Sequence, residues 1–278
     1  MTLHRPESLP DALSLLGASD AVVLAGGTDV YPGLRDGPAP DCMVDVSGLP
    51  ELRGISKGAG RWRIGAATTW TEVLRADLPP VFDGLKAAAR EVGSVQIQNT
   101  GTVAGNLCNA SPAADGVPPL LTLDATVEIA GPQGTRHLPL ADFLKGPRRT
   151  ALQPGELVSA VHVPEAQGGA AFLKLGARAY LVISIAMVAA VTEVRAGRIE
   201  RAAVAVGACT PVARRLQDLE ATLCGRPASD LPEIVSQYPF AELTPIDDVR
   251  ASAGYRQDAV RTLVARALAR SMEVDHVA

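Results

Sequence analysis

Apolar residues recur along this chain at two spacings, and together they predict short helices alternating with strands. Residues 7–16 place Leu9, Ala12, Leu13 and Leu16 on one helical face, with Gly17 as a stop. Residues 21–25 are wholly apolar, the pattern of a buried parallel strand, and run straight into Gly26, Gly27, Thr28 and Asp29. A further strand is predicted over 41–46, closed by Ser47, Gly48 and Pro50, so the chain opens as a small α/β unit. A strand at 62–66, a short helix at 69–75 and a helix at 84–92 follow, the last with Asp83 able to cap it and Gly93 able to end it. Residues 94–119 show neither period and read as irregular. Strands are predicted over 125–130, 136–138, 157–163 and 171–175. A change of composition at 164–169 suggests a domain boundary. Beyond it lie two strands, 183–194 and 199–208, joined at Ala196 and Gly197. Two helices close the chain: 212–223, with Leu216, Leu219 and Leu223 on one stripe, and 257–272, which repeats Val260, Leu263, Val264, Ala267 and Leu268.

Composition adds limits to this outline. The 278 residues are enough for two domains of roughly 100–200 residues each. With 47% hydrophobic, 20% charged and 4% aromatic residues, the chain belongs among folded globular proteins rather than disordered ones. The net charge is -4, and Lys and Arg are scattered apart from the pairs Arg148, Arg149 and Arg214, Arg215. Nothing there tracks a phosphate backbone, which excludes nucleic acid as a partner. A bound anion would be met mostly by backbone N–H groups. Cys42, Cys108, Cys209 and Cys224 form no CxxC pair, so spacing gives neither a zinc site nor an iron–sulfur cluster, and they read as small buried thiols of a reduced cytosol. His4, His137, His162 and His276 are equally dispersed and read as structural or exposed. The first six residues lack the apolar segment of a signal peptide, and the longest apolar run, 180–191, is about half of what a bilayer requires. The expectation is a cytoplasmic protein with no membrane span.

Two glycine-rich loops carry the candidate chemistry. In the first, Val23, Leu24, Ala25, Gly26, Gly27, Thr28, Asp29 and Val30 take a buried strand into paired glycines. The backbone can turn sharply there and approach a ligand, successive N–H groups form an anion-binding concavity, and the Thr28 hydroxyl adds a donor. A diphosphate is a natural occupant, although the motif is neither a Walker loop nor a GxGxxG fingerprint, and Gly-Gly after a strand is also a simple tight turn. The second loop, 99–115, gathers Gly101, Thr102, Gly105, Asn106, Asn109, Ser111 and Asp115 in a segment too polar for a core element. Small residues permit close approach, and Asn, Ser and Asp can bond to ribose or ribityl hydroxyls. A long surface loop with routine turn residues is the competing reading. No nucleophile–base pair, acid–base dyad or metal site is evident, so no catalytic residue is assigned.

AGGTDV, followed some seventy residues later by TGTVAGNLCNASPAADGVPPLLTLDA, resembles the FAD-binding (medium) subunit of the molybdenum hydroxylases. This is the xanthine dehydrogenase family, which includes the carbon monoxide dehydrogenase medium subunit. The resemblance spans nearly the whole chain, through Phe172, Lys174 and Arg178 to Tyr255, Arg256, Leu263, Arg266 and Leu268 in the final helix. It implies an α+β protein with a vanillyl-alcohol-oxidase-type flavin fold. An FAD-binding domain at 1–168 would comprise α/β subdomains at 1–55 and 56–168, and a smaller α+β domain would occupy 169–278. By motif match, residues 23–30 would line the diphosphate, while Thr102, Gly105, Asn106, Asn109 and Asp115 hold the rest of FAD. Val158 and Lys174 match positions that contact the flavin, where a lysine could stabilise its reduced form; an exposed cation on a strand is the alternative for Lys174. Tyr180 could shield the ring face, with a core tyrosine as the alternative.

The sequence departs from the family at Gln98, where Arg is common, at Ala104, where glycine is usual, and at Val182, where Asp is frequent. What the resemblance implies about function is an oxidoreductase subunit without substrate chemistry of its own. A molybdopterin-binding large subunit would hydroxylate the substrate, and a small subunit would carry electrons over [2Fe-2S] clusters to FAD in this chain. The flavin would pass them to an external acceptor, within a heterohexamer of three subunit types. The lack of a cysteine cluster agrees with that division and argues against benzoyl-CoA-type relatives with an extra cluster. A self-sufficient FAD oxidoreductase, or a scaffold that has lost FAD, are the alternatives.

Overall fold

The computed structural model describes residues 1–34 and 38–273 and is a mixed α+β protein. It divides into two units. The first comprises Met1–Ala76, Ser94–Ala110 and Ala125–Glu165; the second comprises Asp77–Gly93, Ser111–Asp124 and the described residues from Ala166 onward.

In the first unit, β1 (Thr2–His4), β2 (Val22–Leu24) and β3 (Cys42–Asp45) form a parallel sheet in the order β1-β3-β2. Helix α1 (Leu9–Ala18) starts where the Ser8 hydroxyl accepts from the Asp11 N–H at 3.2 Å. Its Ala12 and Leu16 pack with Val44, Val46, Leu49 and Leu52. The parallel pairing of β2 follows its apolar run, but β2 is an edge strand. Only Leu24 is buried, and Val22 stays 38% exposed. The short α2 (Val30–Gly33) comes directly after the glycine pair.

A second, antiparallel sheet is built from β4 (Ile55–Gly58), β5 (Arg61–Gly65), β6 (Thr126–Gly131), β7 (Gly134–Pro139) and β10 (Leu157–Pro164), in the order β4-β5-β10-β6-β7. The register of β10 on β6 shifts between Val158 and Ala160, a bulge that re-aims the side chains beyond it. The two-stranded β8 (Leu144–Gly146) and β9 (Arg149–Thr150), with α8 (Leu140–Phe143), complete this part. Helix α3 (Trp70–Arg75) opens with a capping box: the Thr69 hydroxyl accepts from the Glu72 N–H, and the Glu72 carboxylate accepts from the Thr69 N–H.

In the second unit, β11 (Gly169–Leu175), β12 (Ala186–Arg195), β13 (Arg198–Gly207) and β14 (Arg214–Arg215) form an antiparallel sheet in that order. The long α11 (Ala253–Glu273) packs across β11 and β12, with Val260, Val264, Ala267 and Leu268 buried as the 257–272 pattern predicts. Helix α4 (Asp83–Glu91) lies on β11, where Ala88 meets Phe172, Met187 and Ala189. Asp83 does not cap α4; it is the first helical residue, after Phe82. Helices α9 (Gln217–Leu223) and α10 (Leu231–Gln237) cover the sheet with Leu219, Leu223, Leu231 and Val235. The helix expected from residue 212 begins only at Gln217, because Arg214 and Arg215 pair with β13 instead. The strand expected from 183 begins at Ala186, because its partner β11 ends at Leu175 opposite that residue, and Tyr180 and Leu181 before it take left-handed φ values of 62° and 51°.

The largest correction concerns residues 94–119. They are irregular only over 110–116, apart from short links. They form α5 (Val95–Thr100), α6 (Val103–Asn109) and α7 (Val117–Thr122). Each is a helix of six or seven residues, too short to show an amphipathic period. Side-chain caps start the first two: the Ser94 hydroxyl accepts from Ile97 N–H, and the Thr102 hydroxyl accepts from Gly105 N–H.

Candidate functional site

Within the first unit the structure brings the two glycine loops together. Strand β2 delivers Gly26 against the C-terminal end of α5. A Cβ on Gly26 would lie 2.1 Å from the Thr100 carbonyl oxygen and 2.8 Å from the Gly101 Cα, so no other residue fits without moving backbone. Gly27 has φ +68°, and its Cβ would meet the Tyr31 ring at 2.5 Å. The turn is held by the Tyr31 N–H donating to the Gly27 carbonyl at 3.1 Å. The N–H groups of Gly26, Gly27 and Thr28 donate to no protein acceptor among the described residues. A row of backbone donors without protein acceptors, at a turn packed too closely for a Cβ on either glycine, is the arrangement an anion-binding nest requires.

The second loop is pinned to the same place by its own backbone. Trp70 N–H donates to the Gly101 carbonyl at 3.2 Å, and Val103 N–H donates to the Thr68 carbonyl at 2.9 Å. Ala104 is buried inside α6 with its N–H donated to the Ala66 carbonyl at 3.2 Å. The alanine is therefore accommodated, but its N–H is used by the protein. Asn106 carries a buried Oδ1 with no partner. Asn109 donates from Nδ2 to Asp29 Oδ1 at 2.8 Å, which ties the end of α6 to the first loop. Arg148, noted from the sequence only as half of a basic pair, also joins the loop: its N–H donates to the Ala110 carbonyl at 2.9 Å and its Nη1 donates to the Asn109 carbonyl at 3.4 Å. Val158 lies buried in β10 opposite Ile129, and Gln98 is buried in α5.

The remaining candidates belong to the second unit. Ser111 shapes a turn, its hydroxyl accepting from Ala113 N–H at 3.2 Å. Asp115 is buried, and Lys174 Nζ reaches its Oδ2 at 2.9 Å with only 6% of the lysine side chain exposed. Lys174 also donates to the Glu91 carbonyl at 3.3 Å, and Ser184 donates to Asp115 Oδ1 at 3.2 Å. Lys174 is thus a buried, paired cation and not an exposed one. Burial pushes the Asp115 carboxyl above its usual range, although the Lys174 charge pulls it back. Tyr180 is not a core tyrosine, since 67% of it is exposed. Val182 packs tightly enough on Gly176 that a Cβ there would stand 2.4 Å from its Cγ1.

Among the cysteines, Cys209 is buried and its thiol is pushed up to about 11 by that burial, whereas Cys224 is exposed, contrary to the expectation of buried thiols. His137 and His162, far apart in sequence, lie with ring centroids 5.4 Å apart. His276 falls outside the described residues.

Comparisons with known proteins match this architecture. Residues 1–166 match the family described as the FAD binding domain in molybdopterin dehydrogenase, and residues 171–271 match the CO dehydrogenase flavoprotein C-terminal domain. The chain is 32% identical over 277 residues to the xanthine dehydrogenase FAD-binding subunit of Escherichia coli, covering 97% of this chain and 95% of the relative. It is 30% identical to the glyceraldehyde dehydrogenase medium chain of Sulfolobus acidocaldarius, covering 95% of each. A solved structure of carbon monoxide dehydrogenase from Hydrogenophaga pseudoflava superposes with a TM-score of 0.90 at 28% identity, over 99% of this chain and 97% of that one. The chain belongs to the FAD-binding medium subunits of the xanthine dehydrogenase and carbon monoxide dehydrogenase family, and it is an oxidoreductase subunit. Among the described residues no helix is long and apolar enough to cross a membrane.

Proposed function

We propose that this chain is the electron-transfer flavoprotein of a molybdenum hydroxylase. It takes electrons from [2Fe-2S] clusters of a small partner subunit, themselves supplied by a molybdopterin-binding large subunit, and passes them to an external acceptor. The three subunit types assemble as a heterohexamer in the cytoplasm. The same reading keeps 1–168 as the FAD-binding domain and 169–278 as the C-terminal domain, a division that the two family matches support.

The observation that carries this reading is the row of unused N–H donors at Gly26, Gly27 and Thr28, in a turn that side chains cannot enter. That cradle fits a diphosphate. The orphaned Oδ1 of Asn106 is a second opening for a hydroxyl-bearing ligand, because a buried acceptor without a partner is unfavourable until something donates to it. FAD, when bound, supplies one- and two-electron redox chemistry. The chain's residues supply the rest. Val23, Leu24 and Ala25 set the strand that aims the turn, while Thr28 adds its hydroxyl. Asp29 and Asn109 lock the two loops to one another through their 2.8 Å hydrogen bond. Gly101, Thr102, Gly105, Val30 and Val158 are proposed to line the cofactor. The assignments of Ser111, Asp115, Lys174 and Tyr180, all in the second unit, rest on the family resemblance alone.

The test is flavin content and its dependence on partners. The purified protein should carry flavin absorbance, and Gly27→Asp should abolish it, because a Cβ there meets the Tyr31 ring at 2.5 Å at a φ of +68° and the carboxylate adds negative charge beside the donors. Full flavin content in that variant would contradict the placement. Reduction of the bound flavin by a small organic substrate without partner subunits would contradict the electron-transfer role.

A further inference from the structure

The antiparallel sheet of the first unit carries a side-chain cluster that the flavin site does not use. Glu128 on β6, His137 on β7 and His162 on β10 each offer a ligand atom, and these three atoms lie within 4.8 Å of one another. The register explains the meeting. Glu128 and His137 are direct cross-strand partners, and His162 arrives from the other side of β6, beyond the bulge in β10. His162 Nε2 stands 2.7 Å from Glu128 Oε2, and His137 Nε2 stands 3.5 Å from the same oxygen. Two imidazole nitrogens and a carboxylate oxygen are all electron-pair donors when unprotonated. Facing one another at this range, they can share one cation.

We propose that Glu128, His137 and His162 form a binding site for a divalent transition-metal cation of the zinc type, a clamp across three neighbouring strands. Two imidazoles and one carboxylate are a donor set that suits such ions and leaves a position for water. The ligand atoms of a tetrahedral zinc stand about 3.3 Å apart for bonds of about 2.0 Å. The two distances to Glu128 Oε2, 2.7 and 3.5 Å, bracket that separation, and the two histidine nitrogens lie within 4.8 Å of each other. The other carboxylate oxygen is held by the protein: Ser159 Oγ donates to Glu128 Oε1 at 2.8 Å, and Arg63 Nη2 donates to it at 3.3 Å. That leaves Oε2 directed at the imidazoles, the orientation that outer partners impose on a ligating carboxylate. His137 lies on the edge strand β7 with 44% of its side chain exposed, so an ion can enter from solvent.

Two features set the strength. The Arg63 guanidinium places a fixed positive charge beside the carboxylate, and His162 Nδ1 is buried without the acceptor that usually steadies a zinc-bound histidine. Both weaken the site, so binding on the order of 1–10 µM is expected rather than nanomolar.

Titration calorimetry of the untagged, flavin-loaded protein with Zn2+ tests this. The expected result is one zinc per chain. Its affinity should fall at least about tenfold in Glu128→Gln and in His137→Gln, and stay unchanged in His4→Ala. His137→Gln is the variant to rely on, because the residue is half exposed on an edge strand; retained flavin absorbance verifies that it is folded. Absence of saturable zinc binding to the parent protein would overturn the proposal. So would zinc binding undiminished in the folded His137→Gln variant.

Discussion

The first unit's glycine cradle and the second unit's polar interior handle buried polar groups in opposite ways. Around Gly26 and Gly27, donors are left without protein acceptors, and Asn106 Oδ1 is left without a donor. In the second unit most buried charges are closed upon one another, with Arg201 Nη1 and Arg256 Nε the exceptions. Asp115 is met by Lys174 and Ser184, and Arg256, fully buried, is paired with Asp248 at 2.6 Å and donates to the Ala208 carbonyl at 3.3 Å. Polar groups satisfied inside the chain contribute to the architecture, whereas the open donors and acceptor around the glycine turn are the groups the proposed cofactor would satisfy.

Three substitutions sharpen that contrast. Gly26→Val should remove FAD and lower the melting temperature together, since even a Cβ collides with the Thr100 carbonyl at 2.1 Å. A folded variant with normal flavin content would show that the cradle is softer than described. Lys174→Met should destabilise the protein by about 3 kcal/mol in urea unfolding, because it leaves the Asp115 carboxylate buried and unpaired. Adding Asp115→Leu should recover most of that loss; failure to recover would mean that the pair is not the source of the effect. Asn106→Leu should leave the flavin-free protein as stable as before, since Oδ1 loses no protein partner. The same change should weaken FAD by about tenfold, the value of one hydrogen bond. A large loss of stability without a change in FAD affinity would place Asn106 in the architecture instead.

The smallest effect concerns pH. Arg136 grips Glu156 with two hydrogen bonds of 2.8 and 2.7 Å, and this outweighs burial to hold the Glu156 carboxyl below its usual range. A carboxylate depressed in the folded state adds stability that is present above its unfolded value of about 4.3 and is lost as pH falls through the lower folded value. The urea midpoint of the parent protein should therefore fall more steeply below that pH than the midpoint of Arg136→Met. Parallel curves would remove the pair from the acid response.

Much of the fold was legible because its long elements carry a clear period. The hairpin of β12 and β13 announced itself through apolar runs broken at Ala196 and Gly197, and the α11 stripe appeared at the positions that are buried. The short helices α5 and α6 were hidden, because six or seven residues rich in Asn, Gly and Thr show no stripe; their starts lie in the caps Ser94 and Thr102. Leu181 and Ile183 extended an apolar pattern into a segment that is exposed, at 54% and 62%. Of the site, both glycine loops were readable from small residues at turn positions. That they touch through Gly26 and Thr100, and that Asn109 bonds Asp29, depended on contacts about eighty residues apart, which no local pattern encodes.

The central claim is that the cradle at Gly26, Gly27 and Thr28 holds a diphosphate, and the affinity of the flavin-free protein for FAD against riboflavin tests it most directly. Two charge-assisted hydrogen bonds to the diphosphate should make FAD bind at least about a hundredfold more tightly, and Gly27→Asp should erase the difference. Riboflavin binding as tightly as FAD, or a ratio unchanged in Gly27→Asp, would contradict the account.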